Sequence, residues 1–110
     1  MIIENKKNYL LITSDENTFS DFAVNFQEEY NNLKENHLII KISEVFNATK
    51  ENILLFLDRS IEHQKNGTSF VIISKDINID DFPETFNIVT TLIEAEDVLE
   101  MENIQRDLGF

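Results

Sequence analysis

Residues 37–61 decide the fold of this chain, and they read HLIIKISEVFNATKENILLFLDRSI. The first part is apolar and predicts a buried strand built on Leu38, Ile39, Ile40 and Ile42. A turn follows over residues 45–49. Apolar residues then predict one amphipathic helix that buries Ile53, Leu54, Leu57 and Ile61. A helix that begins at the carboxyl end of a strand points free N–H groups and a positive dipole end outward, so this turn is the first candidate for a binding site.

The residues before this stretch predict a hairpin and a helix. Two short apolar runs, residues 1–4 and 9–14, are separated by the polar residues 5–8, a pattern typical of a β-hairpin. A helix is predicted to begin after Thr18, which would be its N-cap. Its apolar side is an aromatic stripe that belongs in the core: Phe19, Phe22, Phe26, Tyr30 and Leu33.

The residues after this stretch predict two more strands and a last helix. Asn66 and Gly67 form a helix stop, and residues 68–74 (TSFVIIS) read as a buried strand. Residues 75–86 predict a loop and residues 87–90 a short strand. Thr91 would cap the last helix, with Glu94 at the capping-box position.

The order of these elements predicts the fold class. Strands that alternate with helices favour an α/β fold with a four- to five-stranded mixed sheet, parallel in its centre, and helices packed mainly on one face. A chain of 110 residues without a linker or a repeat predicts a single domain over residues 1–110.

The net charge of −12 narrows the possible partners. Nine basic residues are scattered among 21 acidic ones, whereas nucleic-acid binding needs clustered Lys and Arg. Residues 76–105 contain nine carboxylates and no Lys or Arg. This span is either a solvated acidic face or a docking face for a basic partner. We expect no direct nucleic-acid binding.

The residue types also limit the possible chemistry and compartment. The chain has no cysteine, and charges interrupt the apolar runs of its N-terminus, so we expect a cytoplasmic protein without a membrane segment. Gly67 and Gly109 are its only glycines, which excludes a glycine-rich phosphate loop. His37 and His63 are isolated in the sequence, and we expect them at the surface or rim without a metal. We expect no cofactor and no catalytic residues.

The order and spacing of the elements resemble the STAS domain, the fold of bacterial anti-sigma factor antagonists and of sulfate-transporter cytoplasmic tails. The resemblance covers nearly the whole chain. In that likeness the early strand of the domain is residues 9–13 and its first helix is residues 18–36. The central strand is residues 37–43, the second helix is residues 49–65, and the next strand is residues 68–74.

The turn after the central strand is similar to the STAS phosphorylation motif. Regulated STAS domains carry Asp-Ser-Ser/Thr-Gly here, and their second hydroxyl is phosphorylated. This chain has Asn47-Ala48-Thr49-Lys50, which keeps a hydroxyl at Thr49 and replaces the other three positions. Thr49 is therefore either a plain helix N-cap or a phosphoacceptor. The resemblance implies a non-catalytic regulatory module with a degenerate motif, and a partner such as an anti-sigma-like kinase.

The expected binding surface is this same turn and the start of its helix. We predict that Phe46 is exposed there and that the partner contacts Phe46, Asn47, Thr49, Lys50 and Asn52.

The full length and the ending EMENIQRDLGF, residues 100–110, look like a group of small Bacteroidetes proteins encoded beside ribonuclease Z. Ribonuclease Z is a zinc enzyme built on a His-x-His-x-Asp-His run, and this chain has no such run. The second hypothesis is therefore an accessory protein of ribonuclease Z, the tRNA 3′-processing nuclease, without nuclease activity of its own.

Overall fold

The computed structural model of the protein describes residues 1–75 and 77–109, and within these ranges five strands form one sheet in chain order. The strands are β1 (Ile2–Asn5), β2 (Leu10–Thr13), β3 (Leu38–Lys41), β4 (Phe70–Ile73) and β5 (Asn87–Val89). The α-helices are α1 (Phe19–Leu33), α2 (Lys50–Leu54), α3 (Leu57–Lys65) and α4 (Leu92–Asp107). Short 3₁₀ helices cover Glu44–Phe46 and Ile79–Asp81.

The sheet is mixed, as the sequence predicts. Strand β1 is antiparallel to β2, with Ile3 opposite Ile12, which confirms the predicted hairpin. Strands β2 to β5 are parallel to one another. The α/β class and the five-stranded mixed sheet are therefore confirmed.

Both faces of the sheet are covered. Successive side chains of the inner strands point to opposite sides and are apolar on both, so each face packs against helices. Leu38 and Ile40 of β3 face the larger core, which contains the aromatic residues of α1 together with Ile53 and Phe56. Ile39 of β3 belongs to a second, smaller core with Ala95 of α4. The first three helices thus lie on one face, and α4 covers the other.

The predicted single helix after the turn is instead two helices, α2 and α3. The amide nitrogens of Leu55 and Phe56 donate to the carbonyls of Asn52 and Ile53, three residues back, which tightens the chain between the helices. The break turns Phe56 inward, where it is 3% exposed, and leaves Leu55 66% exposed.

The break changes which residues are buried. Ile61 is 40% exposed, so the prediction that it is buried is wrong. Leu54 and Leu57 are only partly buried against the core. The fully buried positions in α3 are the polar residues Ser60 and His63, so the prediction of a surface or rim position is wrong for His63.

The helix boundaries follow the predicted caps. Thr18 and Thr91 accept hydrogen bonds from the amides of Asp21 and Glu94. Gly67 has φ +76°, the left-handed conformation that ends α3 at the predicted place. None of the helices in the described ranges has the length and apolar content needed to cross a membrane.

Candidate functional site

The predicted binding turn follows β3 and is held by its own side chains. The Ser43 hydroxyl accepts a hydrogen bond from the Val45 amide at 3.3 Å, which starts the 3₁₀ helix Glu44–Phe46. Asn47 then adopts a left-handed conformation with φ +48°. Asn tolerates this conformation better than most residues, so the sequence itself favours the sharp change of direction here.

Thr49 is the N-cap of α2. Its hydroxyl oxygen accepts a hydrogen bond from the Asn52 amide at 3.2 Å, and the Asn52 side-chain oxygen accepts one from the Thr49 amide at 3.0 Å. These two bonds form a capping box and satisfy two backbone N–H groups that would otherwise lack partners. The cap interpretation of Thr49 is confirmed, while its role as a phosphoacceptor stays a prediction.

The structure separates the five predicted binding residues into two groups. Asn47, Thr49 and Lys50 are exposed, and Asn52 is half-buried beside them. Phe46 is also half-buried, and its ring lies 6.2 Å from that of Phe19 between centroids. It also stacks on Phe22. The expectation of an exposed Phe46 is therefore wrong, because its ring completes the aromatic cluster of α1.

Val45 is the apolar residue that this turn presents to solvent. Its side chain is 75% exposed, next to the inward-pointing Phe46. The exposure of Val45 does not follow from the sequence, because a 3₁₀ turn sends successive side chains in different directions and its register cannot be read from composition.

A cleft of about 480 Å³ lies beside the turn, at the carboxyl ends of the parallel strands. Its floor includes Ile42 and Ile73, and Val45 lies on its border. Polar residues at or just after the ends of β2, β3, β4 and β5 line it as well, among them Thr13, Ser14, Lys41, Ser43, Lys75 and Thr90.

Most of the polar groups of the cleft are already used to hold it together. The Ser14 hydroxyl donates to the Lys41 carbonyl at 3.1 Å and accepts from the Ser43 amide at 2.7 Å, which joins the ends of β2 and β3. Lys75 pairs with Glu44 at 3.1 Å, and both side chains are largely exposed. Such an exposed pair contributes about 0–1 kcal/mol to stability.

The N-terminus of α4, at one side of the cleft, carries a carboxylate from its own first turn. Glu94 Oε1 accepts hydrogen bonds from the hydroxyls of Thr90 at 2.8 Å and Thr91 at 3.0 Å. The negative charge also complements the positive end of the helix dipole. The cleft thus offers an apolar floor and a hydrogen-bonding border to an incoming side chain.

The sequence does contain a signal for this cleft. Each of the four apolar strand runs is followed at once by hydroxyl or lysine residues, as in Thr13-Ser14 and Thr90-Thr91. The carboxyl ends of parallel strands meet at one edge of a sheet, where ligands of open α/β folds commonly bind.

A second polar cluster is buried between α1 and α3. His63 Nδ1 lies 2.9 Å from the Tyr30 hydroxyl oxygen and 3.1 Å from the Arg59 carbonyl oxygen. The Arg59 guanidinium lies 4.1 Å from the centre of the Tyr30 ring, a cation–π contact. Burial lowers the pKa of His63. The pKa of Tyr30 is raised, mainly by burial and to a smaller extent by the nearby Glu62 carboxylate.

His37 lies at the opposite edge of the sheet from the cleft, half-buried, as the rim prediction expects. Its Nδ1 accepts a hydrogen bond from the Ser69 amide at 2.9 Å. The Ser69 hydroxyl is in turn bonded to Glu102 at 2.6 Å and accepts from Arg106 at 3.0 Å. Burial, with a contribution from Arg106, lowers the pKa of His37. Across residues 1–75 and 77–109, no group of three or more His, Asp or Glu side chains is placed to hold a metal ion.

No protein-family model matches the chain, and no curated protein matches it either.

Proposed function

We propose that this protein is a small, non-catalytic, cytoplasmic interaction module of the STAS type, similar to the anti-sigma factor antagonists. It binds another cytoplasmic protein through the turn after β3. The arrangement of the sheet supports this proposal, because the hairpin, the parallel strands β2 to β5 and the helices between them follow the order of the STAS resemblance.

The observation that carries the proposal is the combination of a rigid turn with an exposed apolar side chain. The capping box of Thr49 and Asn52 fixes the backbone of the turn. Phe46 fastens it to the ring of Phe22. Val45 then extends into solvent beside the cleft. A preorganised surface loses little conformational entropy when a partner binds, which favours affinity.

The roles within the predicted binding set are revised accordingly. Val45 and the exposed residues Asn47, Thr49 and Lys50 form the contact surface. Phe46 and Asn52 act as supports that hold this surface in place.

The test compares substitutions of two exposed valines. Val45→Asp places a charge on the proposed surface, and Val24→Asp places one on α1, where Val24 is 57% exposed. Each tagged protein is incubated with cytoplasmic extract of the source organism, and bound proteins are identified by mass spectrometry. We expect the wild type and Val24→Asp to retain the same partner and Val45→Asp to lose it. Equal retention by all three proteins contradicts the proposed surface.

Regulation by phosphorylation of Thr49 is a further part of the proposal. A phosphate on this hydroxyl would lie at the start of α2 next to the Lys50 ammonium, although Glu51 would oppose it. Thr49→Asp should then alter the affinity for the captured partner, while Thr49→Ser should leave it unchanged. Equal affinity of all three proteins would remove the switch but leave the interaction surface intact.

The second candidate function is that of an accessory protein of ribonuclease Z. One observation favours it: in the described part of the tail, residues 105–109, Leu108 is exposed rather than packed in the core. Leu108 is 66% exposed, although Arg106 is fastened to Ser69, and Phe110 lies outside the described residues. The candidate predicts co-purification with the nuclease and loss of that association when residues 105–110 are deleted. Co-purification that survives the deletion counts against it.

A further inference from the structure

Helix α4 carries apolar residues on two sides, and only one side packs against the rest of the protein. Ala95 and Leu99 are buried in the smaller core against the sheet. The opposite side carries Ile93, Met101 and Ile104, and Leu108 follows at the C-cap; we call these four residues the outer stripe of α4. These side chains are between 52% and 72% exposed.

Three members of the outer stripe are neighbours on the helix surface, and Asp97 lies between them and Ile93. Met101, Ile104 and Leu108 are three and four residues apart, and Ile93 lies about two turns before Met101, at 3.6 residues per turn. From Ile93 to Leu108 the stripe runs about 22 Å at 1.5 Å per residue. Single exposed apolar side chains are common on proteins, but neighbouring ones such as Met101, Ile104 and Leu108 are typical of an interaction surface.

The charges around the stripe indicate the chemistry of what covers it. Asp97, Glu100 and Asp107 are exposed on or beside the stripe. The only basic residue of α4 is Arg106, and its guanidinium donates to Ser69 and Asn103 rather than facing the stripe. The surface therefore has an apolar cluster of Met101, Ile104 and Leu108, the isolated Ile93 beyond Asp97, and negative charge within and beside it.

We propose that the outer stripe of α4 is a docking surface for a basic amphipathic helix of another protein. The apolar side chains of such a helix would pack on the stripe, while its Lys and Arg side chains would form ion pairs with the neighbouring carboxylates. The stripe extends over about four turns, a length that suits a second helix packed nearly parallel or antiparallel to α4.

A second copy of this chain suits the surface poorly. A symmetric pair would bring the Asp97, Glu100 and Asp107 carboxylates of both copies together, and each copy carries a net charge of −12. The inference goes beyond the proposed function, because α4 covers the face of the sheet opposite to α2.

The test uses two synthetic peptides and the full chain labelled with ¹⁵N. Each peptide is a helix of about 18 residues with a leucine stripe, long enough to span the outer stripe. One peptide has Lys and the other has Glu at the flanking positions. We expect the Lys peptide to bind and to shift the amide resonances of residues 93–108. Its affinity should fall about tenfold or more between low and physiological salt, as charges become screened. The Glu peptide should not bind.

Substitutions locate the contact. Met101→Ser/Ile104→Ser should weaken binding of the Lys peptide about tenfold or more, since two apolar contacts are lost. Val24→Ser, on α1, and Val45→Asp, at the turn after β3, should leave it unchanged. Glu100→Lys/Asp107→Lys should weaken the Lys peptide and allow the Glu peptide to bind.

Three results would overturn the proposal. One is a set of shifts that lies outside α4, and another is unchanged binding in Met101→Ser/Ile104→Ser. The third is a dimer in sedimentation velocity that the same double substitution abolishes, which would assign the stripe to a second copy. The proposed function is tested by loss of the cytoplasmic partner in Val45→Asp, whereas the α4 proposal is tested by binding of the Lys peptide. Failure of one proposal can therefore be distinguished from failure of the other.

Discussion

The imidazole of His63 is fully buried between the Tyr30 hydroxyl, the ring of Phe70 and the Arg59 carbonyl. Two oxygen atoms face Nδ1, so the neutral tautomer with its proton on Nδ1 fits this geometry. Among the described residues, Nε2 has no hydrogen-bond partner. A protonated ring would bury a second N–H group and a full charge, which explains why burial lowers its pKa.

This burial predicts how stability depends on pH. The unfolded chain takes up a proton at His63 near pH 6.5, whereas the folded protein resists it. The stabilising effect of the neutral ring is therefore present above about pH 6.5 and is lost as the pH falls through the folded pKa, by up to about 1.4 kcal/mol per pH unit. We expect His63→Gln to show a smaller loss of unfolding free energy than the wild type between about pH 7.5 and pH 5.5. Urea denaturation at both pH values measures this difference.

His37 is the matched control for that experiment. Its pKa is also lowered, but the ring is only half-buried, so His37→Gln should reduce the pH dependence less than His63→Gln. An unchanged pH dependence in His63→Gln would show that the ring does not remain neutral in the folded protein.

The capping box gives Thr49 a measurable effect on stability. Removal of the hydroxyl in Thr49→Ala leaves the Asn52 amide without its acceptor and should lower the unfolding free energy by about 1 kcal/mol. Thr49→Ser keeps the acceptor and should lie close to the wild type. If Thr49→Ala is as stable as Thr49→Ser, then the cap is not formed in solution. Thermal unfolding followed by circular dichroism distinguishes the two cases.

At the scale of elements, the break between α2 and α3 decides which side chains reach the core. Phe56 packs against Phe26 with ring centroids 5.2 Å apart and against Phe19 at 5.9 Å. It can do so because the helix does not continue at regular pitch through Leu55. A continuous helix would instead bury Ile61, as the sequence pattern predicts.

Three alanine substitutions separate the two arrangements. Phe56→Ala should lower the unfolding free energy by about 3–5 kcal/mol, because it leaves a cavity among aromatic rings. Leu55→Ala and Ile61→Ala remove exposed or half-exposed side chains and should each cost less than about 1 kcal/mol. A larger cost for Ile61→Ala than for Phe56→Ala would indicate one continuous helix. Urea denaturation of the three variants gives the comparison.

The elements that the sequence predicts correctly are those whose pattern is local. The hairpin of two short apolar runs, the aromatic stripe of α1 and the threonine caps each follow from neighbouring residues. The break after Leu54 does not, because both Leu55 and Phe56 are apolar and only the tertiary position of Phe56 among α1 and β4 decides between them. His63 was misplaced for the same reason, since its partner Tyr30 lies 33 residues away in the chain.

The candidate site was predictable in part. The turn after β3 and the Thr49 cap follow from the end of an apolar run and a hydroxyl before a helix. The inward rotation of Phe46 and the exposure of Val45 depend on the 3₁₀ turn, whose register is set by contacts with Phe19 and Phe22. The outer stripe of α4 is hard to recognise in the sequence, because Met101, Ile104 and Leu108 stand among polar and charged residues.

At the scale of the whole molecule, the charge imbalance acts across the entire structure. The longest dimension is 41 Å. Electrostatic interactions reach about 30 Å at 10 mM salt but only about 8–10 Å near physiological ionic strength. At low salt, most of the 21 acidic residues therefore repel one another, and this repulsion destabilises the compact state more than the extended chain.

The ion pairs of the protein oppose this repulsion only weakly. Ion pairs between side chains, such as Lys6 with Glu4 and Lys75 with Glu44, are exposed or partly exposed and contribute about 0–1 kcal/mol each. Salt weakens these pairs as well as the repulsion. With nine basic residues against 21 acidic ones, repulsion should dominate.

We therefore expect the unfolding free energy to rise when NaCl is increased from about 10 mM to about 150 mM. Asp97→Asn/Glu100→Gln removes two exposed charges from α4 and should raise stability at low salt while reducing the salt dependence. The matched control is Lys7→Gln, which removes an exposed positive charge and should lower stability at low salt. Urea denaturation at the two salt concentrations tests all three proteins. If the wild type instead loses stability as salt is added, then the ion pairs outweigh the repulsion between carboxylates. In that case the acidic surface does not destabilise the fold, and a basic partner would have no repulsion to relieve.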